Sequence, residues 1–410
     1  MIVGERARDR RPLPPPPTPK RYCGRRTPPT YFLLMTFTPE DLACMRQALR
    51  LAARGEGWVS PNPMVGAVVV RQGQVVGRGW HRRYGAPHAE VEALRAAGEK
   101  ARGATLYVTL EPCNHHGKTP PCTAAVLEAG ITRVVAATPD PNPTVEGGGA
   151  AFLRERGIQV EVGLLADEAR RLNEAWFHWL ATGRPWVSVK AACSLDGKIA
   201  TQGGDSQWLT GEAARAFGHR LRHRVDAILV GAGTVLADDP QLTTRLPRGR
   251  GKDPIRVVLD SRLGLPKTAR LLHLSSPAPT WIACTEAADP EKIRALEAAG
   301  AEVLVLPAAA GRVPLVPLLQ ELGRRRVQHL LVEGGAAVLG AFFDEGLVNR
   351  FYFFYAPKFL GGREALGVIG GRGVARLAEA HRAVDLTCKR VGADLLVSGR
   401  VVGGQHAPGA

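Results

Sequence analysis

His88 and Glu90 stand two residues apart in PHAEVEAL, and Cys113 and Cys122 follow, nine residues from each other, in YVTLEPCNHHGKTPPC. One imidazole nitrogen and two thiolates fill three of the four tetrahedral positions that zinc takes, leaving the fourth for a water whose pKa the metal lowers towards neutrality. That is a catalytic arrangement, since a closed structural site keeps no such position. Glu90, on the same helical turn as His88, reaches the activated water without ligating the metal and can carry its proton to a leaving amine. Taken singly, a His-x-Glu pair is a solvated helix start and a cytosolic cysteine a small buried hydrophobe. The combination decides: a helix start, then an apolar strand over Ala104–Leu110, then Glu111-Pro112-Cys113 at the strand's end.

The elements that must hold these residues alternate in an α/β fashion from Thr38 onward. Thr38 caps, Pro39 opens and Asp41 supports an amphipathic helix over 39–54. After the turn-rich VSPNP come MVGAVVV and QVVGRGWH, a hairpin turned at Gln72-Gly73. The His88 helix continues through Ala93, Leu94 and Ala97, and is followed by the strand ATLYVTL, a helix from near Pro121, and the strand RVVAAT. A helix over Gly149–Arg156, the strand IQVEVG and a helix over 166–181 complete the unit. Asn62, between two prolines, is positioned either to contact a base or simply to turn the chain.

TGRP at 182–185 reads as a short linker, and a second α/β unit begins at Trp186. The expected boundaries are a tail over 1–37, a first α/β domain over 38–183, a second over 184–403 and a short tail over 404–410. In the second unit the periodicity predicts a helix over 211–223, strands in AILVGAGTV, IRVVLDS, WIACT, EVLVLP and HLLVE, and helices over 290–299 and near 314–323. RFYFFYAPKFLGG and DLLVSGRVV read as long antiparallel strands. Gly231-Ala232-Gly233 begins a GxGxxG, but Leu236 stands at its sixth position, so the dinucleotide fingerprint is incomplete. Glu333-Gly334-Gly335 before a helix offers backbone amides to an anionic phosphate, though strand-Gly-Gly-helix also serves plain packing.

Composition narrows the class. The chain has 410 residues, 45% of them hydrophobic, enough for two or three domains with sizeable cores, and no apolar run long enough to cross a bilayer. Seven scattered cysteines and no secretory signal point to reduced thiols in the cytoplasm. The net charge of +16 is concentrated: residues 1–34, proline-rich and expected to be disordered, carry +6, and a translation start at Met35 would open the chain just ahead of the Thr38 helix cap. The remaining +10 is dispersed, with clusters only at Arg220–Arg224 and Arg324–Arg326, which suits phosphorylated small molecules as well as nucleic acid.

The metal pattern is similar to the signature of zinc nucleobase deaminases, except that the second cysteine comes nine residues after the first, not three. Over residues 38–402 the chain closely resembles one family, the bifunctional riboflavin-biosynthesis deaminase–reductases. PNPMVGAVVV, HAEVEAL, TLEPCNHHGKTPPC, DPNP, SLDGKIA, DSQWLT, VLADDPQLT, VLDS and VEGGAAVLG occur in that family's order. The HHGKTPP insert between the cysteines is the specific element.

The resemblance implies a cytidine-deaminase-like three-layer α/β domain followed by a dihydrofolate-reductase-like domain. It implies one zinc held by His88, Cys113 and Cys122, with Glu90 as proton shuttle, and NADPH as hydride donor. Ala192, Trp208, Thr234, Asp238, Ser261 and the run Gly335, Ala336, Ala337, Val338, Leu339, Gly340 and Ala341 match cofactor contacts. Ser206, Arg222, Leu242, Arg245 and Glu333 match substrate contacts, with Lys190 and Asp196 as further polar members of the cleft. A phosphoribosyl pyrimidine substrate, a homo-oligomer formed through the reductase domain, a cytoplasmic setting and no nucleic-acid or membrane partner complete the expectation. A nucleic-acid deaminase leaves the second domain unexplained, and a non-enzymatic binding protein leaves the intact zinc set unexplained.

Overall fold

Thr38 caps the first helix as its sequence predicts. Its hydroxyl accepts from the Asp41 amide at 3.1 Å, and the Asp41 carboxylate accepts from the Thr38 amide at 2.9 Å. The computed structural model describes residues 37–116, 120–142, 148–249 and 251–403. The expected tails, but for Phe37, lie outside the described residues, as do Gly117–Thr119 of the insert between the cysteines and the last proline of DPNP.

The first half carries helices α1 (Pro39–Ala52), α2 (Ala89–Ala97), α3 (Cys122–Glu128), α4 (Gly149–Arg154), α5 (Ala166–Leu172) and α6 (Glu174–Thr182). Its strands are β1 (Gly66–Arg71), β2 (Gln74–Trp80), β3 (Thr105–Val108), β4 (Arg133–Ala136) and β5 (Gln159–Val162), ordered β2-β1-β3-β4-β5. The β1/β2 hairpin turns at Gln72 and Gly73, with φ of +50° and +75°, the doubly left-handed turn that matches strand twist. β3, β4 and β5 run parallel. Along β1 successive residues face opposite ways: Gly66 abuts Ala48 of α1, while Ala67 and Val69 join the Ala89, Ala93 and Ala97 stripe of α2. Helices therefore cover both faces, giving three layers.

The second half carries α7 (Glu212–Arg224), α8 (Ala232–Asp238), α9 (Pro290–Ala298), α10 (Leu315–Arg324) and α11 (Ala336–Asp344). Its strands are β6 (Trp186–Ser194), β7 (Ala227–Gly231), β8 (Ile255–Leu259), β9 (Thr280–Thr285), β10 (Ala301–Leu306), β11 (His329–Val332), β12 (Arg350–Ala356), β13 (Arg382–Val391) and β14 (Asp394–Val402). They form one sheet ordered β10-β9-β8-β7-β11-β6-β12-β14-β13. β7 shows why its strands are almost uniformly apolar: Ala227 and Leu229 enter one core with α10 and α11, and Ile228 and Val230 enter another with α9. α7 packs Phe217 and Leu221 onto Leu331 and Phe354.

Three expectations are corrected and one strand is new. The helix over 166–181 breaks at Asn173, whose side chain accepts from the Met64 amide at 2.8 Å and donates to the Met64 carbonyl at 2.9 Å. AILVGAGTV is strand only to Gly231, after which the chain turns directly into α8. β12 is antiparallel to β14 as expected, but it ends at Ala356, short of the PKFLGG stretch, and it also pairs parallel with β6, so it extends the parallel part of the sheet. β13 is an unanticipated edge strand, exposed along most of its length and interrupted by a register shift between Val384 and Thr387, where Asp385 takes a φ of +52°.

Candidate functional sites

The first site is built on α2. Glycines at 77 and 79 of β2 let α2 lie against the strand: a Cβ on Gly79 would sit 2.3 Å from the Ala89 carbonyl, and one on Gly77 2.2 Å from that of Ala93. The first turn of α2 is thereby fixed, with His88 as its N-cap residue and Glu90 inside it. The other two ligand candidates come from the end of β3 and the start of α3. Cys122 is the first residue of α3, and its amide donates to the Cys113 sulfur at 3.4 Å, while the Thr123 amide donates to the Cys113 carbonyl at 3.2 Å.

His88 Nδ1 lies 3.2 Å from Cys122 Sγ and 3.6 Å from Cys113 Sγ, and all three donor atoms fall within 4.8 Å of one another. Tetrahedral zinc with Zn–N near ~2.0 Å and Zn–S near ~2.3 Å sets nitrogen and sulfur about 3.5 Å apart along each edge, so this donor set fits the ion. The mutual contact of the two sulfurs and the hydrogen bond from His88 depress the Cys113 thiol to about 4, whereas the same contact and burial push Cys122 well up.

Glu90 is 3% exposed, and burial pushes its carboxyl up to about 7, against the counteracting charge of His88. A carboxyl poised near neutrality can both take and return a proton. His88, Glu90 and Cys113 open on a cavity of about 470 Å³ that Asn62 also lines. Asn62 Nδ2 is 3.1 Å from Nε2 of His81, whose Nδ1 is 3.1 Å from the Pro87 carbonyl. A proton on Nδ1 bonds that carbonyl and leaves Nε2 to accept from the amide, which fixes the Asn62 side chain. Sequence reasoning does not single out His81, Trp176 or Trp179, which also line the cavity. His81, seven residues before His88, is the one that motif spacing could have flagged.

The second site gathers at the carboxyl ends of the parallel strands, where β11 lies between β7 and β6 although it follows β10 in the chain. Glu333, directly after β11, receives Nε and Nη2 of Arg222 at 2.9 and 3.0 Å, with Lys190 Nζ at 3.8 Å. Burial by itself would raise Glu333, but the Arg222 and Lys190 charges hold it down at about 2. Arg222 also donates to the Thr243 carbonyl at 3.1 Å, so its fork is committed to this chain's own acceptors. Arg245 is exposed, its guanidinium 3.1 Å from Gln241 and its amide 3.3 Å from His219.

Other expected members are placed variously. Gln207 donates to Asp238 at 2.7 Å, bringing the loop of Ser206 and Trp208 to the end of α8, which also carries Thr234. Trp208 is 67% exposed, with the Arg215 guanidinium 4.7 Å from its ring centre. Ala192 sits on β6 beside Phe354. Ser261 accepts from the Val313 amide at 3.2 Å, and among the described residues no hydrogen bond or ion pair joins it to the Glu333 cluster. Leu242 and Leu339 are buried with their side chains in the core, and Gly340 is buried with its backbone against that of Gly370. Gly335 is the N-cap of α11, Ala337 is exposed, and Ala336, Val338 and Ala341 are half-buried. Asp196 accepts from the Leu360 and Gly361 amides at 3.1 and 2.7 Å.

A three-layer α/β unit bearing a His-Cys-Cys cluster, joined to a largely parallel sheet with an Arg222–Glu333–Lys190 cluster at its carboxyl edge, is the architecture of a deaminase fused to a reductase. Residues 38–138 match the family model of the cytidine and deoxycytidylate deaminase zinc-binding region, and residues 185–397 match the RibD C-terminal domain. The riboflavin biosynthesis protein RibD of Actinobacillus pleuropneumoniae is 44% identical over 360 residues, covering 88% of this chain and 95% of its own. That of Escherichia coli (strain K12) is 41% identical over 370 residues, covering 87% and 98%. The solved structure of Acinetobacter baumannii RibD, form 1, superposes with a TM-score of 0.79 at 38% identity, covering 88% of this chain and 99% of that one. A Thermotoga maritima diaminohydroxyphosphoribosylaminopyrimidine deaminase/5-amino-6-(5-phosphoribosylamino)uracil reductase superposes at 0.77 and 37% identity, covering 88% and 99%. The chain belongs to the RibD family, the bifunctional deaminase–reductases of riboflavin biosynthesis. Among the described residues no helix is long and apolar enough to cross a membrane.

Proposed function

We propose that His88, Cys113 and Cys122 hold a catalytic zinc and that Glu90 is the proton shuttle of a hydrolytic deaminase acting on 2,5-diamino-6-(5-phosphoribosylamino)pyrimidin-4(3H)-one. The observation that carries this reading is the cavity onto which His88 and Cys113 of the three-donor cluster and the buried Glu90 all open. Zinc bound there supplies a water made acidic enough to act as nucleophile near neutral pH. Glu90 takes the proton of that water and delivers it to the amino group leaving the ring, which departs as ammonia. Asn62, its amide fixed by His81, orients the base.

The second half then reduces the ribosyl side chain to ribityl, giving 5-amino-6-(5-phosphoribitylamino)uracil. NADPH supplies the hydride when bound. The positions proposed to face it are Ala192, Trp208, Thr234, Asp238, Ser261 and the turn and helix from Gly335 to Ala341. For Leu339 and Gly340, which are buried, the backbone is the part concerned. Glu333, kept ionised by Arg222, presents acceptors to the sugar hydroxyls, and Ser206, Arg245 and the backbone of the buried Leu242 complete the substrate side. The two activities divide after Gly183, with deamination in 38–183 and reduction in 184–403. The enzyme is proposed to work in the cytoplasm as a homo-oligomer on a free nucleotide, without nucleic acid.

NADPH oxidation followed by absorbance tests this. A sustained fall with the diaminopyrimidinone ribotide, lost in Glu90→Ala and restored by supplying the deaminated intermediate, is the expected result. No fall with either compound, on folded and zinc-loaded protein, overturns it.

A further inference from the structure

The arginine run at 324–326 divides its labour. Arg324 and Arg325 pair with Glu321, and Arg325 also with Glu302. Arg326 pairs with no carboxylate among the described residues; it is exposed, and its guanidinium lies 3.5 Å from the Tyr84 hydroxyl at the edge of the first-half cavity. It belongs to the second half of the chain, in the turn between α10 and β11, yet it lines the cavity that holds His88 and Glu90. No other arginine or lysine does so among the described lining residues, while Glu111 and Asp140 do.

Two contacts pin this turn against the deaminase half on either side of Arg326. Trp179 donates to the Gly323 carbonyl at 3.0 Å, and Gln328 donates to the Pro61 carbonyl at 2.7 Å. The Arg326 amide bonds Gly323 and the Val327 amide bonds Leu322, closing α10 with Arg326 at a φ of +64°. That position after a helix ordinarily takes glycine, because a Cβ there strains the backbone. Arginine stands at a site where the backbone favours glycine, at the mouth of a cavity whose lining carboxyl groups are those of Glu90, Glu111 and Asp140.

We propose that Arg326 binds the phosphate of the deaminase substrate, so that the reductase half contributes a residue to the deaminase site. This rests on the reading above that the substrate is phosphoribosylated. A guanidinium suits a phosphate by charge and by its planar fork of donors. β11, four residues long, separates Arg326 at one end from Glu333 at the other, so this phosphate contact is distinct from the reductase cleft.

The test compares ammonia release from the ribotide and from its dephosphorylated riboside in wild type, Arg326→Gly and Arg326→Lys. The glycine variant should melt no lower than wild type, because it relieves the left-handed backbone, and should reduce the deaminated ribotide at the wild-type rate. Its kcat/KM for the ribotide should fall by about tenfold or more, chiefly through KM, with the riboside unchanged and the lysine variant intermediate. An unchanged ribotide-to-riboside ratio in Arg326→Gly overturns the proposal, as does a wild type without preference for the ribotide. A wild type that deaminates neither compound removes the functional reading itself.

Discussion

Arg222 grips Glu333 through two parallel hydrogen bonds of 2.9 and 3.0 Å, with side-chain exposures of 16% and 9%. The pair joins α7 to the end of β11 and so ties the helix bearing one expected substrate residue to the strand presenting another. Removing one partner strands a charge away from water. Arg222→Ala should therefore cost about 3–5 kcal/mol in denaturant unfolding and lower reductase turnover more than tenfold. A loss below about 1 kcal/mol would show that the pair is screened like a surface bridge.

Glu90→Gln keeps the shape of the side chain and removes the proton carrier. Ammonia release should fall by about 10²–10⁴-fold while bound zinc stays near one per chain, because Glu90 is not one of the three clustered donors. Loss of zinc along with activity would make it a ligand instead.

Chelation should separate the two halves. Stripping zinc should abolish deamination and lower the melting temperature, because His88, Cys113 and Cys122 link α2, the end of β3 and α3. Reduction of the deaminated intermediate should persist, and added zinc should restore ammonia release. A parallel loss of both activities would contradict the division after Gly183.

Acid should weaken the fold through half-buried histidines. Burial, aided by Arg184 at His178, by Arg222 and Arg245 at His219, and by Arg350 at His329, holds these three rings down at about 4. The unfolded chain, with histidine pKa near ~6.5, takes up protons first as pH falls. Their contribution to stability is thus complete above pH ~6.5 and is lost as pH falls through about 4. Denaturant midpoints measured across this window should decline, and His178→Phe, which keeps a ring against Trp186, should flatten the decline. A midpoint independent of pH in that range would mean the rings are already solvated.

Gly340→Ala tests whether the helix after the Gly-Gly turn is framework as well as ligand surface. A Cβ there would meet the Gly370 carbonyl carbon at 2.2 Å, so the 370–371 loop must move, at a cost of about 1–3 kcal/mol in stability. An equally stable variant with a raised KM for NADPH would assign Gly340 to the cofactor alone.

The sequence by itself determined the chemistry of the metal cluster and most of the elements around it. Ligand chemistry needs particular residue types, and His88, Cys113 and Cys122 stand at helix starts and a strand end that local capping and periodicity make legible. The Thr38 cap and the Gln72-Gly73 turn were legible for the same reason, since each is decided within four residues.

Tertiary structure decided what depends on partners far along the chain. Asn173 breaks a helix-compatible run because Met64, 109 residues away, offers its backbone to the side chain. β12 runs parallel to β6 because of a pairing that no local pattern encodes, and β13 carries no buried face whose alternation could announce it. Arg222 in RLRHR could equally have lined an exposed face; only the fold sets it against Glu333, 111 residues away. Arg326 looks like one of three surface charges until the turn that holds it is seen against Pro61 and Trp179 of the other half.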